Sequence, residues 1–190
     1  MDATVPVSGL TWTAFWYLRH GETDWNARGL SQGNVDIPLN ANGVAQAHRA
    51  AVLLRRRGIA RIVVSPLSRA LETARVVAAA IGLADVTVDE GLREAAFGVQ
   101  EGQAMAPWFG EWVAGAFTPP GGESFAALRV RAAAAVNRAL TRPGPVLVVA
   151  HGALFRALRA EMGLVVNVRT PNATPLFCEP GMPWRLTAAG

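Results

Sequence analysis

Short apolar segments alternate with segments of helical periodicity, and this alternation constrains the fold more than any other feature of the chain. Four segments are rich in β-branched, aromatic or other apolar residues and are predicted to be strands: residues 11–18, 61–64, 86–88 and 146–149. Between and after them, apolar residues recur at the spacing of amphipathic helices, and the last such helix runs through Met162. Strands that alternate with helices form a mostly parallel sheet with helices on both faces. The sequence therefore predicts an α/β fold, a three-layer sandwich, and its 190 residues predict one domain over residues 1–190.

Three further segments differ from this pattern. Residues 26–42 are rich in Gly, Asn and Pro and are predicted to form a long irregular loop, which in a compact domain is usually functional. Residues 103–117 carry several aromatic residues near Pro and Gly and are predicted to form an irregular helical flap. Residues 176–178 and 184–186 are predicted to form one or two late strands, antiparallel at the sheet edge.

The composition favours a folded protein of a reducing compartment. Hydrophobic residues make up 51% of the chain and charged residues 17%, which is too apolar for disorder. The longest apolar stretches, such as residues 76–83, are much shorter than the roughly 20 residues that span a bilayer. The first residues lack the cationic start of a secretion signal, and the single thiol, Cys178, cannot form an internal disulfide. We expect a cytoplasmic protein with no membrane partner, and a buried Cys178.

The basic residues exclude several kinds of chemistry. All 18 of them are Arg, so a Walker phosphate loop and Schiff-base catalysis, which need Lys, are excluded. The Arg guanidinium matches phosphate and carboxylate geometry, and a net charge of +4 favours anionic ligands. The chain shows no basic helix face and no alternation of aromatic and basic residues, so no nucleic-acid partner is expected.

Residues suited to phosphoryl chemistry follow all four predicted strands. Arg19 and His20 come after the first strand, Arg69 after the second, Glu94 after the third and His151 after the fourth. Ligands of open α/β sheets bind outside the carboxyl ends of the strands, so these side chains are expected to share one site. Two adjacent arginines oppose a dication and no closely spaced ligand pair is present, so no metal is expected.

These side chains supply each part that phosphoryl transfer needs. A neutral His20 can attack phosphorus, while Arg19, Arg69 and a donating His151 stabilise the charge of the transferred group. Glu94 can protonate the leaving oxygen and then activate water. One histidine at a strand end is commonly structural, but the joint placement of two favours catalysis. Three neighbouring acids are alternatives to Glu94 in this role: Glu90, Glu101 and Glu123.

The sequence resembles the histidine phosphatase superfamily, the phosphoglycerate-mutase-like proteins. The blocks that carry the resemblance occur in the expected order over residues 19–156, and their order makes the resemblance specific. The blocks are Arg19-His20-Gly21-Glu22-Thr23, Trp25-Asn26, Gln32-Gly33, Asp36-Ile37-Pro38-Leu39, Ser65-Pro66-Leu67-Ser68-Arg69-Ala70, Glu94 with Phe97-Gly98, Gly122-Glu123-Ser124, and His151-Gly152 with Arg156.

The resemblance implies a role for each matching position. His20 would be phosphorylated, the phosphoryl group would be bound by Arg19, Arg69 and His151, and Glu94 would be the acid and base. Thr23, Asn26 and Gly152 would line the same phosphate pocket. The resemblance also implies a phosphoglycerate mutase-like fold and no metal or organic cofactor.

The resemblance leaves open which reaction is catalysed. A mutase holds a bisphosphorylated ligand at both ends, yet no Arg lies between Arg93 and Arg129. The aromatic flap instead suggests an uncharged or hydrophobic leaving alcohol, contacted by Trp108 and Trp112 unless these two residues belong to the core. We therefore expect a phosphomonoester hydrolase that acts on a small phosphorylated metabolite. Mutase-type phosphoryl transfer, for which Arg28 could hold a second anionic group, and a non-enzymatic phosphate-binding module are the alternatives.

Overall fold

The computed structural model describes residues 9–190. The prediction that no secretion signal is present rests on the first residues and lies outside the described range. Within that range, no helix combines the length and the apolar character that crossing a membrane requires. Six strands form one sheet in the order β3-β2-β4-β1-β5-β6. The strands are β1 (Phe15–Arg19), β2 (Arg61–Val64), β3 (Thr87–Val88), β4 (Val146–Ala150), β5 (Leu176–Glu179) and β6 (Arg185–Ala188).

The first four strands are parallel to one another, and β5 and β6 are antiparallel at one edge. Helices connect the parallel strands, and two short 3₁₀ turns, Glu90–Leu92 and Gly98–Gln100, follow β3. The helices are α1 (Asp24–Ala27), α2 (Ala41–Leu54), α3 (Ser68–Ile81), α4 (Trp108–Val113), α5 (Phe125–Ala139) and α6 (Gly152–Glu161).

Two hydrophobic cores lie on the two faces of the sheet, because side chains alternate in direction along each strand. Tyr17 and Val148 pack in the core that contains α5 and α6, whereas Leu18 and Val149 pack in the core that contains α2 and α3. All five residues of β4 are buried, as expected for a central strand covered on both sides. The predicted three-layer α/β sandwich with a mostly parallel sheet is confirmed.

The first strand is shorter than predicted. It begins at Phe15 rather than at residue 11, because its parallel partner β4 begins only at Val146. The register places Trp16 opposite Leu147. Pro145, which precedes β4, lacks the N–H that a longer ladder would need.

The early loop contains more regular structure than predicted. Thr23 and Asn26 form a capping box, in which each side chain accepts a hydrogen bond from the other residue's backbone N–H, and this starts α1. The side chain of Asn40 accepts from the N–H of Gly43, so α2 begins at Ala41, three residues before Val44, where the helical periodicity begins. Local capping therefore decided the two helix starts that apolar periodicity did not indicate.

The remaining elements follow the predictions closely. β3 covers Thr87–Val88 and both residues are exposed, as expected for a short edge strand. The helix that follows Ser124 begins at Phe125, and the Ser124 side chain accepts from the N–H of Ala127. The two late strands are antiparallel at the sheet edge, and Cys178 of β5 is buried in the core that contains α5 and α6.

Candidate active site

His20 lies directly after β1 and is only 2% exposed. Its Nδ1 lies 2.7 Å from the carbonyl oxygen of Gly21. Because a carbonyl only accepts hydrogen bonds, this contact places the ring proton on Nδ1 and leaves a lone pair on Nε2. Burial, reinforced by the positive charges of Arg69 and Arg19, lowers the pKa of His20 well below its ordinary value. The fold therefore holds a neutral imidazole, the form in which Nε2 is a nucleophile.

Close backbone packing fixes the segment that carries His20. A Cβ atom on Gly21 would lie 2.4 Å from the carbonyl oxygen of Gly43, so only glycine allows α2 to approach so closely. The N–H of Gly21 donates to Oγ1 of Thr73 at 3.0 Å. The Asn172 side chain donates to the carbonyl of His20 at 3.0 Å. His20 is therefore held by helices and a loop on several sides of the strand end.

His151 follows β4 and lies beside His20, with 5.2 Å between the two ring centroids. Its Nε2 lies 2.7 Å from Oγ of Ser65, which also accepts from the N–H of Leu67. The hydroxyl of Ser65 can therefore donate to Nε2, which leaves the proton of the ring on Nδ1. Nδ1 is buried and has no hydrogen-bond partner among the described residues. Such a buried donor beside a neutral imidazole is suited to binding an anion.

The backbone of His151 is fixed by a residue that sequence reasoning missed. The hydroxyl of Tyr17 donates to the His151 carbonyl at 2.7 Å and accepts from its N–H at 3.1 Å. The ring of Tyr17 is stacked on Phe155 with centroids 4.2 Å apart. Burial, followed by the charges of Arg69, His20 and Arg19, lowers the pKa of His151 well below its ordinary value. The second histidine is therefore also neutral.

Arg69, which is fully buried, and Arg19, which is partly buried, bring two guanidinium groups to the same place. Nη1 of Arg19 donates to the carbonyl of Thr170 at 2.7 Å, and Arg69 donates to the carbonyls of Val35 and Gly33 at 2.9 and 2.8 Å. Burial lowers the pKa of each guanidinium to about 10, so both remain charged at neutral pH. The Nε atoms of both side chains are buried without a partner in residues 9–190. We call Arg19, His20, Arg69 and His151 the floor cluster.

Glu94 is 7% exposed and lies at the amino terminus of α6. Its Oε1 accepts from the N–H groups of Ala95 and Leu154, and its Oε2 accepts from the N–H of Ala153 at 2.9 Å. A carboxylate oxygen has about two acceptor positions, so Oε2 keeps one for a proton or a water molecule. The carboxylate is therefore held rigidly and keeps one acceptor position open.

A cleft of about 530 Å³ lies at this end of the sheet, and His151 is fully buried beside His20 without lining the cleft itself. Arg19, His20, Arg69 and Glu94 line it directly. The other lining residues come from the early loop, the flap, α6 and the loop after α6: Glu22, Asn26, Ala27, Gly29, Leu30, Ser31, Gln32, Gly33, Phe97, Met105, Gly152, Ala153, Arg156 and Arg169. The four predicted strand ends thus converge on one concave site, as parallel topology requires.

The predicted phosphate-pocket residues have different positions. Asn26 and Gly152 line the cleft. Thr23 is buried behind it, where its hydroxyl donates to Oε1 of Gln32 at 3.0 Å and caps α1, so Thr23 positions the loop rather than the ligand. Arg28 is exposed and does not line the cleft, although both of its neighbours do. The structure therefore does not place Thr23 or Arg28 in contact with a ligand in this cleft.

The structure corrects the prediction that Trp108 and Trp112 contact the leaving group. Trp112 is 0% exposed, and its Nε1 donates to the carbonyl of Glu123 at 2.8 Å. Trp108 donates to the carbonyl of Ala104, and both indoles pack edge-on against Phe97. Neither indole lines the cleft. The aromatic residues of α4 pack into the hydrophobic core beside Phe97 and Phe125, because burial removes their large apolar surfaces from water.

Arg156 and Arg169 line the cleft, although the absence of arginines between residues 93 and 129 had suggested an uncharged wall. Arg156 follows Gly152 by one helical turn, and this spacing was the available signal that it lies on the same face of α6. Arg169 comes from the loop after α6, and no local pattern indicates its position. We call Leu30, Met105, Arg156 and Arg169 the outer wall.

The fold and the site together define an α/β protein whose cleft surrounds a neutral, buried histidine with cationic donors. The family model described as the histidine phosphatase superfamily (branch 1) matches residues 15–168, and the chain belongs to that superfamily. The match extends from β1 through α6 and includes every residue of the floor cluster. The resemblance predicted from the sequence blocks is confirmed.

Relatives and solved structures agree with this assignment. A protein of Yersinia enterocolitica named probable phosphoglycerate mutase GpmB is 40% identical over 159 residues, which are 77% of this chain and 74% of the relative. A mycobacterial glucosyl-3-phosphoglycerate phosphatase, solved with VO3, is 32% identical with a TM-score of 0.80, over 92% of this chain and 97% of that one. A phosphoserine phosphatase of Entamoeba histolytica, solved with 3-phosphoglyceric acid, is 25% identical with a TM-score of 0.78, over 93% of this chain and 96% of that one.

Within residues 9–190, no group of three or more His, Cys, Asp or Glu side chains is arranged to hold a metal ion. The expectation that the reaction needs neither a metal nor an organic cofactor stays a prediction.

Proposed function

We propose that this protein hydrolyses small phosphomonoesters through a phosphohistidine formed at Nε2 of His20. The observation that carries the proposal is the hydrogen bond from Nδ1 to the Gly21 carbonyl, which leaves Nε2 free in a ring kept neutral by its surroundings. Nucleophilic catalysis of this kind divides one difficult displacement into two easier ones.

In the first step, the lone pair of Nε2 forms a bond to phosphorus as the bond from phosphorus to the leaving oxygen breaks. Glu94 in its acid form gives its proton to the leaving oxygen, which departs as an alcohol. Arg19, Arg69 and Nδ1–H of His151 donate to the phosphoryl oxygens, where charge is concentrated. Arg69 and His151 are buried and Arg19 is partly buried, so these donors are already in place and need little reorganisation during the reaction.

In the second step, the Glu94 carboxylate accepts a proton from water, and the water oxygen attacks phosphorus. The bond from phosphorus to Nε2 breaks, inorganic phosphate leaves, and His20 and Glu94 return to their starting forms. The free acceptor position of Oε2 supports this role for Glu94. Glu90 is exposed and paired with Arg93, Glu101 accepts from loop N–H groups, and Glu123 is paired with Arg131, so the three alternative acids have structural roles.

The names of the structural neighbours support hydrolysis, because they describe phosphatases that act on phosphorylated small molecules. Phosphoglycerate mutase-type transfer is a second candidate, favoured by the name of the 40% identical relatives and by the cationic outer wall. In a mutase the alcohol of a second ligand, instead of water, would take the phosphoryl group. Assays of ester hydrolysis and of 3-phosphoglycerate isomerisation, with and without bisphosphoglycerate, distinguish the two. Dominant isomerisation would favour the mutase.

The proposal includes a small phosphorylated substrate, no nucleic-acid partner and a cytoplasmic location. A lone buried thiol is compatible with a reducing compartment. A phosphate-binding module without turnover is the alternative from a different class. A buried acid with a free acceptor position beside the nucleophile argues against that alternative, since binding alone does not require it.

The decisive experiment traps the intermediate. The protein is mixed with a ³²P-labelled phosphomonoester and quenched in alkali, and the labelled peptide is identified by mass spectrometry. We expect an acid-labile label on His20, and both label and turnover should disappear in His20→Ala. His48→Ala, which changes an exposed histidine of α2, is the matched control and should keep both. Turnover without a label, or a His20→Ala variant that retains full activity, would overturn the proposal.

A further inference from the structure

We propose that Arg131, together with its ion-pair partner Glu123, positions Glu94 for proton transfer to the leaving group. Arg131 lies on α5 and does not line the cleft, so it acts through Glu94 rather than by contact with a substrate. This inference rests on the proposed function, because it assumes that Glu94 is the acid of the first step. It gives a role in the reaction to a residue outside the sequence blocks that carry the family resemblance.

The segment that carries Glu94 has little regular structure of its own. The 3₁₀ turn Glu90–Leu92 ends just before it, and residues 93–96 belong to no helix or strand. In the described part of the chain, no backbone N–H donates to the carbonyl oxygens of Gly91, Arg93 or Glu94. Backbone carbonyls that lack such bonds take side chains or water as partners. The path of the main chain at Glu94 therefore depends on side-chain donors.

Arg131 supplies these donors. Its Nη1 donates to the carbonyls of Gly91 and Arg93 at 2.9 and 2.8 Å, and its Nη2 donates to the carbonyl of Glu94 at 3.4 Å. Its Nε and Nη2 also donate to the two carboxylate oxygens of Glu123, at 2.9 and 2.6 Å. Each of the five N–H groups of the guanidinium therefore has an acceptor. A lysine, which has three donors, cannot make this set of bonds.

The main chain and the carboxylate of Glu94 are attached to different helices. Arg131 ties the main chain to α5, whereas the carboxylate accepts from the N–H groups of Ala153 and Leu154 at the start of α6. These two helices pack against each other. Because both ends of the short side chain are fixed, the carboxylate stays at the wall of the cleft. Loss of the attachment to α5 would leave the acid less precisely placed relative to the leaving oxygen.

Glu123 holds the guanidinium of Arg131 in the required orientation and connects it to the flap. The N–H of Glu123 donates to the carbonyl of Ala96 at 2.7 Å, and its own carbonyl accepts from Nε1 of Trp112 at 2.8 Å. The side chains of Arg131 and Glu123 are only 28% and 18% exposed. A two-bond contact between Arg and a carboxylate has a fixed geometry, and partial burial reduces its screening by water. The pair is therefore a rigid support beneath the segment that carries Glu94.

The test compares propyl phosphate with p-nitrophenyl phosphate, because these esters differ in their need for an acid. The leaving oxygen of propyl phosphate must be protonated, whereas p-nitrophenolate departs without a proton. Since kcat/KM covers the steps up to departure of the alcohol, the ratio of kcat/KM for propyl phosphate to that for p-nitrophenyl phosphate measures how well the acid works. A variant that is merely less stable loses activity towards both esters equally, so its ratio does not change.

Arg131→Gln should lower this ratio by about tenfold to a hundredfold, because a small displacement of a catalytic group is costly. Arg131→Lys keeps the charge but not the planar fork, and should lower the ratio by about threefold. Arg129→Gln is the matched control, since Arg129 lies on the same helix and pairs with Glu161 at 2.8 Å away from the cleft, and it should leave the ratio unchanged. An unchanged ratio in Arg131→Gln that circular dichroism shows to be folded would refute the inference. If that variant does not fold, Arg131→Lys decides in the same way.

A double-mutant cycle with Glu94→Gln separates this inference from the proposed function. Glu94→Gln alone should lower the ratio, and adding Arg131→Gln should lower it no further, because Arg131 acts only through Glu94. If Glu94→Gln leaves the ratio unchanged, the acid role in the proposed function is wrong. If Glu94→Gln lowers the ratio but Arg131→Gln does not, or if the two effects multiply, the proposed function stands and the positioning role of Arg131 is wrong.

Discussion

The floor cluster and the outer wall belong to one cleft but are built in different ways. His20, Arg69 and His151 are at most 2% exposed, and strand ends or the start of α3 carry the floor cluster. The outer wall comes from two loops, the flap and the middle of α6, and Arg169 is exposed. Buried donors that cannot relax give strong electrostatic stabilisation, whereas exposed charges are screened by water. The floor cluster is therefore held rigidly and largely away from water, whereas the outer wall is open to solvent.

Burial of the floor cluster is tolerated because neighbouring groups hold each side chain. Burying a charged group costs several kcal/mol unless it is paired or hydrogen-bonded. Arg69 therefore donates to two loop carbonyls, and Arg19 donates to a third. In the outer wall, water can solvate Arg169 and no such support is needed. The effects of substitutions on activity and stability should therefore differ between the two regions, both in type and in magnitude.

The largest effect is expected for Glu94→Gln, which removes the proposed acid and base but leaves the four residues of the floor cluster unchanged. With propyl phosphate, whose leaving oxygen needs a proton, kcat should fall by about 10²–10⁴-fold. With p-nitrophenyl phosphate, the first burst of p-nitrophenol should persist while steady turnover falls, because only the attack by water still needs a base. Stopped-flow and steady-state assays measure both quantities.

Glu90→Gln is the matched control for Glu94→Gln, since Glu90 is exposed and paired with Arg93. It should leave both phases intact. Normal turnover of propyl phosphate by Glu94→Gln would show that Glu94 takes no part in the chemistry and only caps α6.

The pH dependence tests the burial of the floor cluster. Protonation of Nε2 removes the nucleophile, and burial together with Arg69 and Arg19 lowers the pKa of His20 well below its usual range. The acid limb of kcat/KM should therefore lie below the ordinary imidazole pKa of about 6.5, with a tenfold loss per pH unit below the folded-state pKa. An acid limb at or above pH 6.5 would indicate that His20 is solvated. The floor cluster would then not differ from the outer wall in its exposure to water.

The same groups make stability depend on pH. Between the lowered folded-state pKa and about 6.5, the unfolded chain binds protons at His20 and His151 that the folded chain does not bind. The free energy of unfolding should therefore be highest above pH 6.5 and fall as the pH decreases, by at most about 1.4 kcal/mol per pH unit for each histidine. Urea titrations of the wild type and of His151→Gln at several pH values measure this slope, which the variant should reduce.

A smaller effect is expected for Ser65→Ala, which tests whether the floor cluster depends on the hydrogen bond behind it. Loss of the contact to Nε2 of His151 should lower kcat by about two- to tenfold, because the ring proton is no longer held on Nδ1. Ser124→Ala is the control: it removes the cap of α5 and should lower stability by about 1 kcal/mol without changing kcat. An unchanged kcat in Ser65→Ala would show that the tautomer of His151 has another origin.

The smallest catalytic effect is expected for Trp112→Phe, which tests whether this indole lies outside the cleft. Trp112 is buried in the flap, and the change leaves the Glu123 carbonyl without its donor. We expect a loss of stability of about 1–3 kcal/mol, and a change in kcat/KM of less than about twofold at temperatures below unfolding. A large change in kcat/KM with a small change in melting temperature would indicate that Trp112 contacts the substrate.

The core strands and the floor cluster could be predicted from the sequence because the information is local. An apolar run that ends in Arg-His-Gly predicts both a strand and the place where its side chains emerge, and parallel topology brings such ends together. Family-specific order of the blocks then supported the roles of His20 and His151. The helix starts at Asp24 and Ala41 were missed because side-chain caps, rather than apolar periodicity, determine them.

The outer wall could not be predicted in this way. The aromatic flap indicated an apolar pocket, but Trp108 and Trp112 turn into the core, since an indole gains more free energy by burial than by lining an open cleft. Arg169 reaches the cleft because the loop that carries it packs against Arg19, where Thr170 accepts a hydrogen bond. Arg19 and Thr170 are far apart in the chain, so no local sequence pattern indicates this contact.

By itself, the sequence determined the alternation of strands and helices, the strand ends at which the reacting groups emerge, and the kind of chemistry that those groups allow. Only the tertiary structure decided which ring nitrogen of His20 is free, which aromatic side chains are core, and which arginines line the cleft. The physical reason is that periodicity and capping act between residues close in the chain. The protonation and exposure of a side chain depend instead on every group that packing brings against it.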